Sequence, residues 1–306
     1  MKKALVIGAG GFIGHNLVKR LKTEGWHVRG IDLKHPEYEL SQADEFLIRD
    51  ASEGTIVDTY YDRIYQLAAD MGGAGFVFTG NNDAEILTNS AGININVLKQ
   101  AKEHGCGVIF YSSSVCCYPD GVEGRESDAY PANPPSDYGF EKLFSERLYL
   151  AYKKNHGLNV KIARFHNTFG PYGTYDGGRE KSPAAICRKV IQSEGEIEIW
   201  GDGTQLRPFI YIDDLLDGVD ALVNSKHTGP VNLGPSFGIT INELVDTVAA
   251  IAGKNLTKKY VSGPTGGMVR NANIESAIKN LGWFPTRDLT ESLRTTYHWI
   301  NDQMML

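Results

Sequence analysis

The sequence predicts an α/β protein: a doubly wound parallel sheet flanked by helices, with a smaller α/β domain interleaved with it. Three observations carry this expectation. Short apolar, β-rich runs alternate with helical patterns through the first half of the 306 residues, an alternation that builds right-handed βαβ units. The first apolar run leads straight into a glycine-rich turn that opens a helix. After residue 167 the texture changes to a loop-like, glycine-rich segment, then shorter strands and a terminal helix.

The elements follow in order. KALVI (3–7) reads as a buried strand, followed by an amphipathic helix from Phe12 to about Glu24. HVRGID (27–32), EFLIR (45–49) and RIYQLA (63–68) read as further strands. The segment 85–105 has helical length and closes at Gly105, a C-cap signal. GVIFYS (107–112) is the fifth strand, 137–157 a helix closed by Gly157, and VKIARF (160–165) the sixth strand. Beyond the loop NTFGPYGTYDGGREKSP come the strand IEIW (197–200), the strand-to-helix step RPFIYIDDLLDGVDALV and a helix from about Thr290. The expected division is 1–167 with 208–235 for the first domain, and 168–207 with 236–306 for the second.

Composition narrows the partners. Apolar residues make up 42% and charged residues 22%, ordinary for a globular protein, and the net charge of −6 is scattered along the chain. That disfavours nucleic acid or an anionic membrane as a partner, and no apolar run approaches the ~18 residues of a membrane span. The cysteines are Cys106, Cys116, Cys117 and Cys187, with no C-x-x-C among them. Neither a metal site nor a disulfide scaffold is expected, and a reducing, cytoplasmic setting is. The opening MKKALVIGAGGFIG mimics a leader peptide, but its glycine spacing and direct run into a helix argue against one.

VIGAGGFIG places Gly8, Gly11 and Gly14 at the strand-to-helix turn. Glycines there permit the tight turn and let backbone amides approach a pyrophosphate at the helix N-terminus, while Gly14 allows close helix–strand packing. The context is that of a Rossmann domain. Asp32 ends the next strand, 18 residues after Gly14. A carboxylate there accepts hydrogen bonds from the adenosine ribose and repels a 2′-phosphate, so the expected cofactor is NAD. Asp50, after the third strand, is either an adenine contact or a helix cap. Phe12, Ile13 and Ala68 complete the expected cofactor contacts.

YGFEK sets Tyr138 and Lys142 four apart on one helix face. A nearby ammonium stabilises phenolate and lowers a tyrosine pKa from ~10. Such a phenol exchanges a proton with a sugar hydroxyl while hydride moves to nicotinamide, and Lys142 can hold the nicotinamide ribose. Ser114, at the end of the fifth strand, is placed to bond the same hydroxyl. Most Tyr-x-x-x-Lys pairs are only a solvated helix face, but the glycine loop and the serine run make this one specific. With RFHNTFGP (164–171) and WGDGTQLRPFIYIDD (200–214), the sequence resembles the extended short-chain dehydrogenase/reductase family, the nucleotide-sugar epimerases and dehydratases. The resemblance implies that Asn167 and Arg207 contact the phosphates and ribose of a nucleotide sugar.

FYSSSVCCYPDG (110–121) adds two adjacent thiols. Removing hydride from a sugar C4 makes the C3 and C5 protons acidic, and inverting such a centre needs a base on one ring face and an acid on the other. A cysteine titrating near ~8.5 suits one role, and a desolvated lysine suits the other. Over LAADMGGAGF (67–76), YSSSVCCYP, RFHNTFGPYGTYDGGREKSPAAICRK and WGDGTQLRPF the chain is similar to the GDP-mannose 3,5-epimerase branch. That similarity implies Cys116 as base and Lys181 as acid. It also implies Met71 and Gly73 in the sugar pocket, and Lys189, Gln205 and Arg270 on the GDP moiety. Cys117 reads as a buried small hydrophobe. DAYPANPPSDYG departs from the tryptophan-bearing version of the family, which bears on the sugar rather than the chemistry.

Other readings stay open at this point. A 3,5-epimerase of a related GDP-heptose or 4-keto-deoxysugar would use the same residues. A C4 epimerase would not need Cys116 or Lys181, and a 4,6-dehydratase needs an acidic residue near the serine that SSSVCCYP does not offer. A non-catalytic NAD-binding regulator would have no use for Tyr138 and Lys142. The helices 85–105 and 137–155 could form a four-helix interface with their copies, so a homodimer is expected.

Overall fold

The computed structural model describes residues 1–263 and 273–306. In chain order its first half runs β1 (Lys3–Ile7), α1 (Phe12–Thr23), β2 (His27–Asp32), β3 (Glu45–Ile48), β4 (Tyr61–Gln66), α2 (Ala74–Val77), α3 (Asp83–His104), β5 (Cys106–Ser114), α4 (Asp137–His156) and β6 (Val160–Phe165). There follow β7 (Asn167–Phe169), α5 (Ser182–Gln192), β8 (Glu196–Trp200), β9 (Leu206–Arg207), β10 (Phe209–Tyr211), α6 (Ile212–Asn224) and β11 (Pro230–Leu233). The remainder is β12 (Ile239–Thr240), α7 (Ile241–Ala252), β13 (Thr257–Val261), α8 (Glu275–Leu281) and α9 (Leu289–Met305).

Seven strands form one parallel sheet in the order β11-β6-β5-β4-β1-β2-β3. Successive side chains of a strand point to opposite faces, and β1 shows the consequence. Ala4 and Val6 join a core with Leu17 and Val18 of α1 and Leu215 and Val219 of α6. Leu5 and Ile7 join another with Val97 and Leu98 of α3 and Tyr149 of α4. Helices on both faces explain why β6 is buried at every position. The chain winds outward in both directions from β1, and the crevice at the carboxyl ends of β1 and β4 is the ligand site such a sheet provides.

A third core joins Ile186 and Val190 of α5, Ile197 and Ile199 of β8, Leu244 and Val248 of α7, and Leu293 and Ile300 of α9. Helix α7 starts on a capping box, with Thr240 and Glu243 bonded to each other's backbone, and ends on Gly253 in the left-handed conformation. Residues 274–283 fall in the range expected for the second domain, yet Ile274, Ala277 and Trp283 pack with Leu215 and Leu233 in the first core. Strand β4 starts and ends two residues earlier than the sequence suggests. Strand β5 is longer, carrying the chain out to Ser114.

Candidate active site

The glycine turn is tightly packed. Gly8 has φ +88°, and a Cβ on it would lie 2.7 Å from the Ala68 backbone nitrogen. A Cβ on Gly14 would run into the Gly8 carbonyl, so helix and strand pack as closely as they do only with glycine there. Gly11 is the N-cap of α1 and offers no side-chain cap. The N–H groups of Phe12 and Ile13 in the first turn therefore remain to face an anion. Asp32 stands beside them: its Oδ2 accepts the Gly10 N–H at 2.9 Å and its Oδ1 the Leu33 N–H at 2.7 Å. Ala68 is fixed across the crevice, its N–H donating to Gln66 Oε1 at 2.8 Å. A pyrophosphate cradle with a carboxylate one strand away fits NAD. Asp50 is no helix cap. Its carboxylate closes a turn by accepting the Ser52 N–H and hydroxyl, at 2.8 and 2.7 Å, and no helix starts there.

The catalytic candidates stand where β5 ends and α4 begins. The Ser114 hydroxyl accepts the Cys116 N–H at 3.1 Å, capping the short turn 115–117 that holds Cys116. Ser136 caps α4, and Tyr138 sits in its first turn. Gly139 makes the junction possible, because a Cβ there would collide with the Cys116 carbonyl oxygen. The Tyr138 phenol and the Ser114 hydroxyl line the same cavity. Lys142, one turn on, donates to the Ser112 carbonyl at 3.2 Å and lies 5.4 Å from the centre of the Tyr138 ring.

The structure corrects one expectation. Tyr138 is pushed up from its ordinary pKa, not down. Burial disfavours its anion most, and Cys116 and Glu141 add to the effect, against the opposing Ser114 bond. Glu141 Oε2 also lies 3.7 Å from the Lys142 ammonium, so that cation is shared with a neighbouring carboxylate.

These groups open on a cavity of about 280 Å³ that Ser114, Cys116, Tyr138 and Lys181 all line. Lys181 is the N-cap of α5, with Pro in the first turn behind it. Burial pulls its pKa down, and the nearby Cys116 opposes that. Cys117 is the inert neighbour expected, fully buried with Val115 and Leu143, its thiol pushed up by burial. Met71 and Gly73 line the same cavity, as do Asn167, Lys189, Gln205 and Arg207. Toward the far end the Lys189 ammonium donates to the Glu198 carbonyl at 3.0 Å, and the Gln205 amide to the Trp200 carbonyl at 3.1 Å. Arg270 lies outside the described residues. Sequence reasoning passed over Glu180 and Trp200, which line the cavity too. Glu180 was legible only as part of the GGREK string; Trp200 carried no separate signal. Among the described residues no group of acidic, histidine or cysteine side chains could hold a metal, and no helix is long and apolar enough to cross a membrane.

Residues 4–234 match the model of the NAD dependent epimerase/dehydratase family. The chain belongs to that family. A GDP-mannose 3,5-epimerase of Arabidopsis thaliana is 40% identical over 99% of this chain and 83% of its own. The UDP-glucuronic acid 4-epimerase of Bacillus cereus, solved with UDP-glucuronic acid and NAD, superposes with a TM-score of 0.85 at 26% identity, covering 98% of this chain and 99% of that one. The UDP-glucose 4-epimerase of Thermotoga maritima shares the fold at a TM-score of 0.89 and 23% identity, over 99% of both chains. Family membership makes the protein an NAD-dependent enzyme.

Proposed function

We propose that the protein is a GDP-mannose 3,5-epimerase. The observation that carries this reading is one cavity holding two sets of groups: Ser114 and Tyr138 for a C4 hydroxyl, Cys116 and Lys181 for the carbons beside it. NAD, held at the glycine turn and Asp32, would supply the hydride acceptor for C4. Tyr138, once the Lys142 ammonium and the positive charge that NAD would bring offset the burial that holds its pKa up, takes the hydroxyl proton as C4 is oxidised and gives it back on re-reduction, with Ser114 orienting the oxygen. Between those steps Cys116 and Lys181 remove and return protons at C3 and C5, each group contributing about 10²–10⁴-fold. Lys142 stands behind the tyrosine to hold the nicotinamide ribose. Asn167 and Arg207 receive the phosphates, and Lys189 and Gln205 the guanosine end. The 40% identity to the Arabidopsis enzyme over nearly the whole chain supports the choice of sugar.

A dehydratase is disfavoured. The carboxylate of Glu180, which lines the cavity, is already engaged by the Gly178 N–H at 2.6 Å and by Arg188 at 3.3 Å. The test is turnover without added cofactor on GDP-mannose, a GDP-heptose and UDP-sugars, with products assigned by NMR. GDP sugars inverted at C3 or C5 are expected from GDP-mannose; turnover of UDP-sugars alone would sink the proposal.

We also propose a homodimer built on α3 and α4, which pack together and leave Leu87, Phe140 and Phe144 exposed at 38, 43 and 50%. Sedimentation should give twice the chain mass, and Phe144→Asp should give one chain mass. A thiol in the site that is in no disulfide suits a reducing compartment, the cytoplasm, and inactivation by oxidised glutathione that dithiothreitol reverses would bear this out.

A further inference from the structure

No helix or strand lies between Phe169 and Ser182, so Lys181 is delivered by a twelve-residue loop. A proton donor on a long loop is placed only as well as the loop is held. On the α5 side the hold is Arg188, whose Nε donates to the Tyr175 carbonyl at 2.8 Å and whose guanidinium also meets Glu180 at 3.3 Å. On the opposite side the hold crosses the cavity mouth. The Arg179 guanidinium lies 4.2 Å over the Phe76 ring and 3.6 Å from Asp70 Oδ1. The Arg179 carbonyl accepts the Gly73 N–H at 3.1 Å. A Cβ on Gly73 would come within 2.5 Å of the Glu180 carbonyl oxygen, so the two segments approach this closely only through glycine. Asp70 is in turn anchored to α3: its Oδ2 accepts the Asn89 amide at 3.1 Å, and its N–H donates to the Ser90 hydroxyl at 3.1 Å. A continuous set of contacts runs from α3 through Asp70 to Arg179, two places before Lys181.

We propose that Arg179 is a positioning residue for proton transfer at C3 and C5, acting through Lys181 and not on C4 oxidation. The proposal rests on the 3,5-epimerase reading. Arg179 is 58% exposed and does not line the cavity, so it touches no reacting atom. With C4 a ketone, the Cys116 thiolate takes a C–H proton from the adjacent carbon and becomes a thiol. The C–H electron pair moves toward the C4 oxygen as an enolate. The Lys181 ammonium gives a proton to that carbon from the opposite face and becomes an amine, and exchange with water restores both groups. Ser114 and Tyr138, which serve C4 oxidation, stand on β5 and α4 and owe nothing to the loop.

The test compares NAD-loaded wild type, Arg179→Ala and Arg179→Lys with GDP-mannose in D₂O. Two signals are followed: the pre-steady-state near-ultraviolet absorbance of reduced cofactor, and deuterium at C3 and C5. In Arg179→Ala the rate of cofactor reduction should stay within about twofold of wild type while label uptake falls about 10²-fold, the loss expected for a displacement near 1 Å. Arg179→Lys keeps the charge opposite Asp70 but not the planar stack on Phe76, and should fall between. Label uptake unchanged in Arg179→Ala, or both signals slowed in parallel, overturns the positioning role alone. A wild type that takes up no label overturns the epimerase reading, and the role of Arg179 with it.

Discussion

Lys181 has to be charged to act as an acid, and burial pulls its pKa below the ordinary 10.5. Label uptake at C3 and C5 should therefore fall with rising pH before the range where a free lysine titrates, as the ammonium is lost. Arginine does not deprotonate, so Lys181→Arg should flatten that alkaline limb and cost about 10²–10⁴-fold in rate; a limb unchanged in the variant would mean another group titrates. Arg164 makes a different kind of prediction. Fully buried beneath the serine run, it donates from Nε and Nη2 to both oxygens of Glu146 at 2.8 and 2.7 Å, and Glu146 also accepts the Ser113 hydroxyl at 2.5 Å. Arg164→Leu strands a buried carboxylate and should cost about 3–5 kcal/mol in urea unfolding, while removing both charged partners should cost much less. Equal losses in the single and double variants would contradict this. The residue types at both sites were readable in the sequence. The direction of the Tyr138 shift was not, because spacing shows a nearby ammonium but not the burial that outweighs it.

At the scale of elements, the junction of β5 and α4 sets the distance between the C4 chemistry and the thiol. Gly139 lets the start of α4 touch the turn that carries Cys116. Gly139→Ala should stabilise an isolated helix slightly. Here it should push Cys116 and Ser114 away from Tyr138, lowering turnover about 10²-fold with little change in substrate affinity. A variant with wild-type kcat would show that the close approach is dispensable. The elements of this junction were legible because their signals are local: the apolar run of β5 and the C-cap glycines Gly105 and Gly157; the close approach at Gly139 was not. The clamp of Arg179 on Asp70 and Phe76 was not. It joins positions 109 apart in the chain (179 − 70), and neither loop carries a periodic pattern that announces its partner. The placement of α8 was hidden for the same reason, since the chain returns to the first core after leaving it.

For the whole molecule, the doubly wound sheet puts Asp32, Gly8, Ala68 and Ser114 at the carboxyl ends of successive neighbouring strands, β2, β1, β4 and β5. Residues scattered over the chain thus form one line, along which a dinucleotide can lie with its reactive ring near Tyr138. The elements around the third core supply Lys181, Lys189 and Gln205 from across the cavity. Alternating strands and helices made a parallel, doubly wound sheet readable, though not its strand order; which loops meet over the sugar was not readable, because that depends on how separate cores dock. The central claim is that C4 oxidation and C3/C5 proton transfer are separate steps carried by separate residues of one cavity. The measurement that tests it most directly uses Cys116→Ala, loaded with NAD and mixed with GDP-mannose in D₂O. Reduced cofactor should still form while deuterium at C3 and C5 disappears. Deuterium entering those carbons at the wild-type rate without the thiol would contradict it.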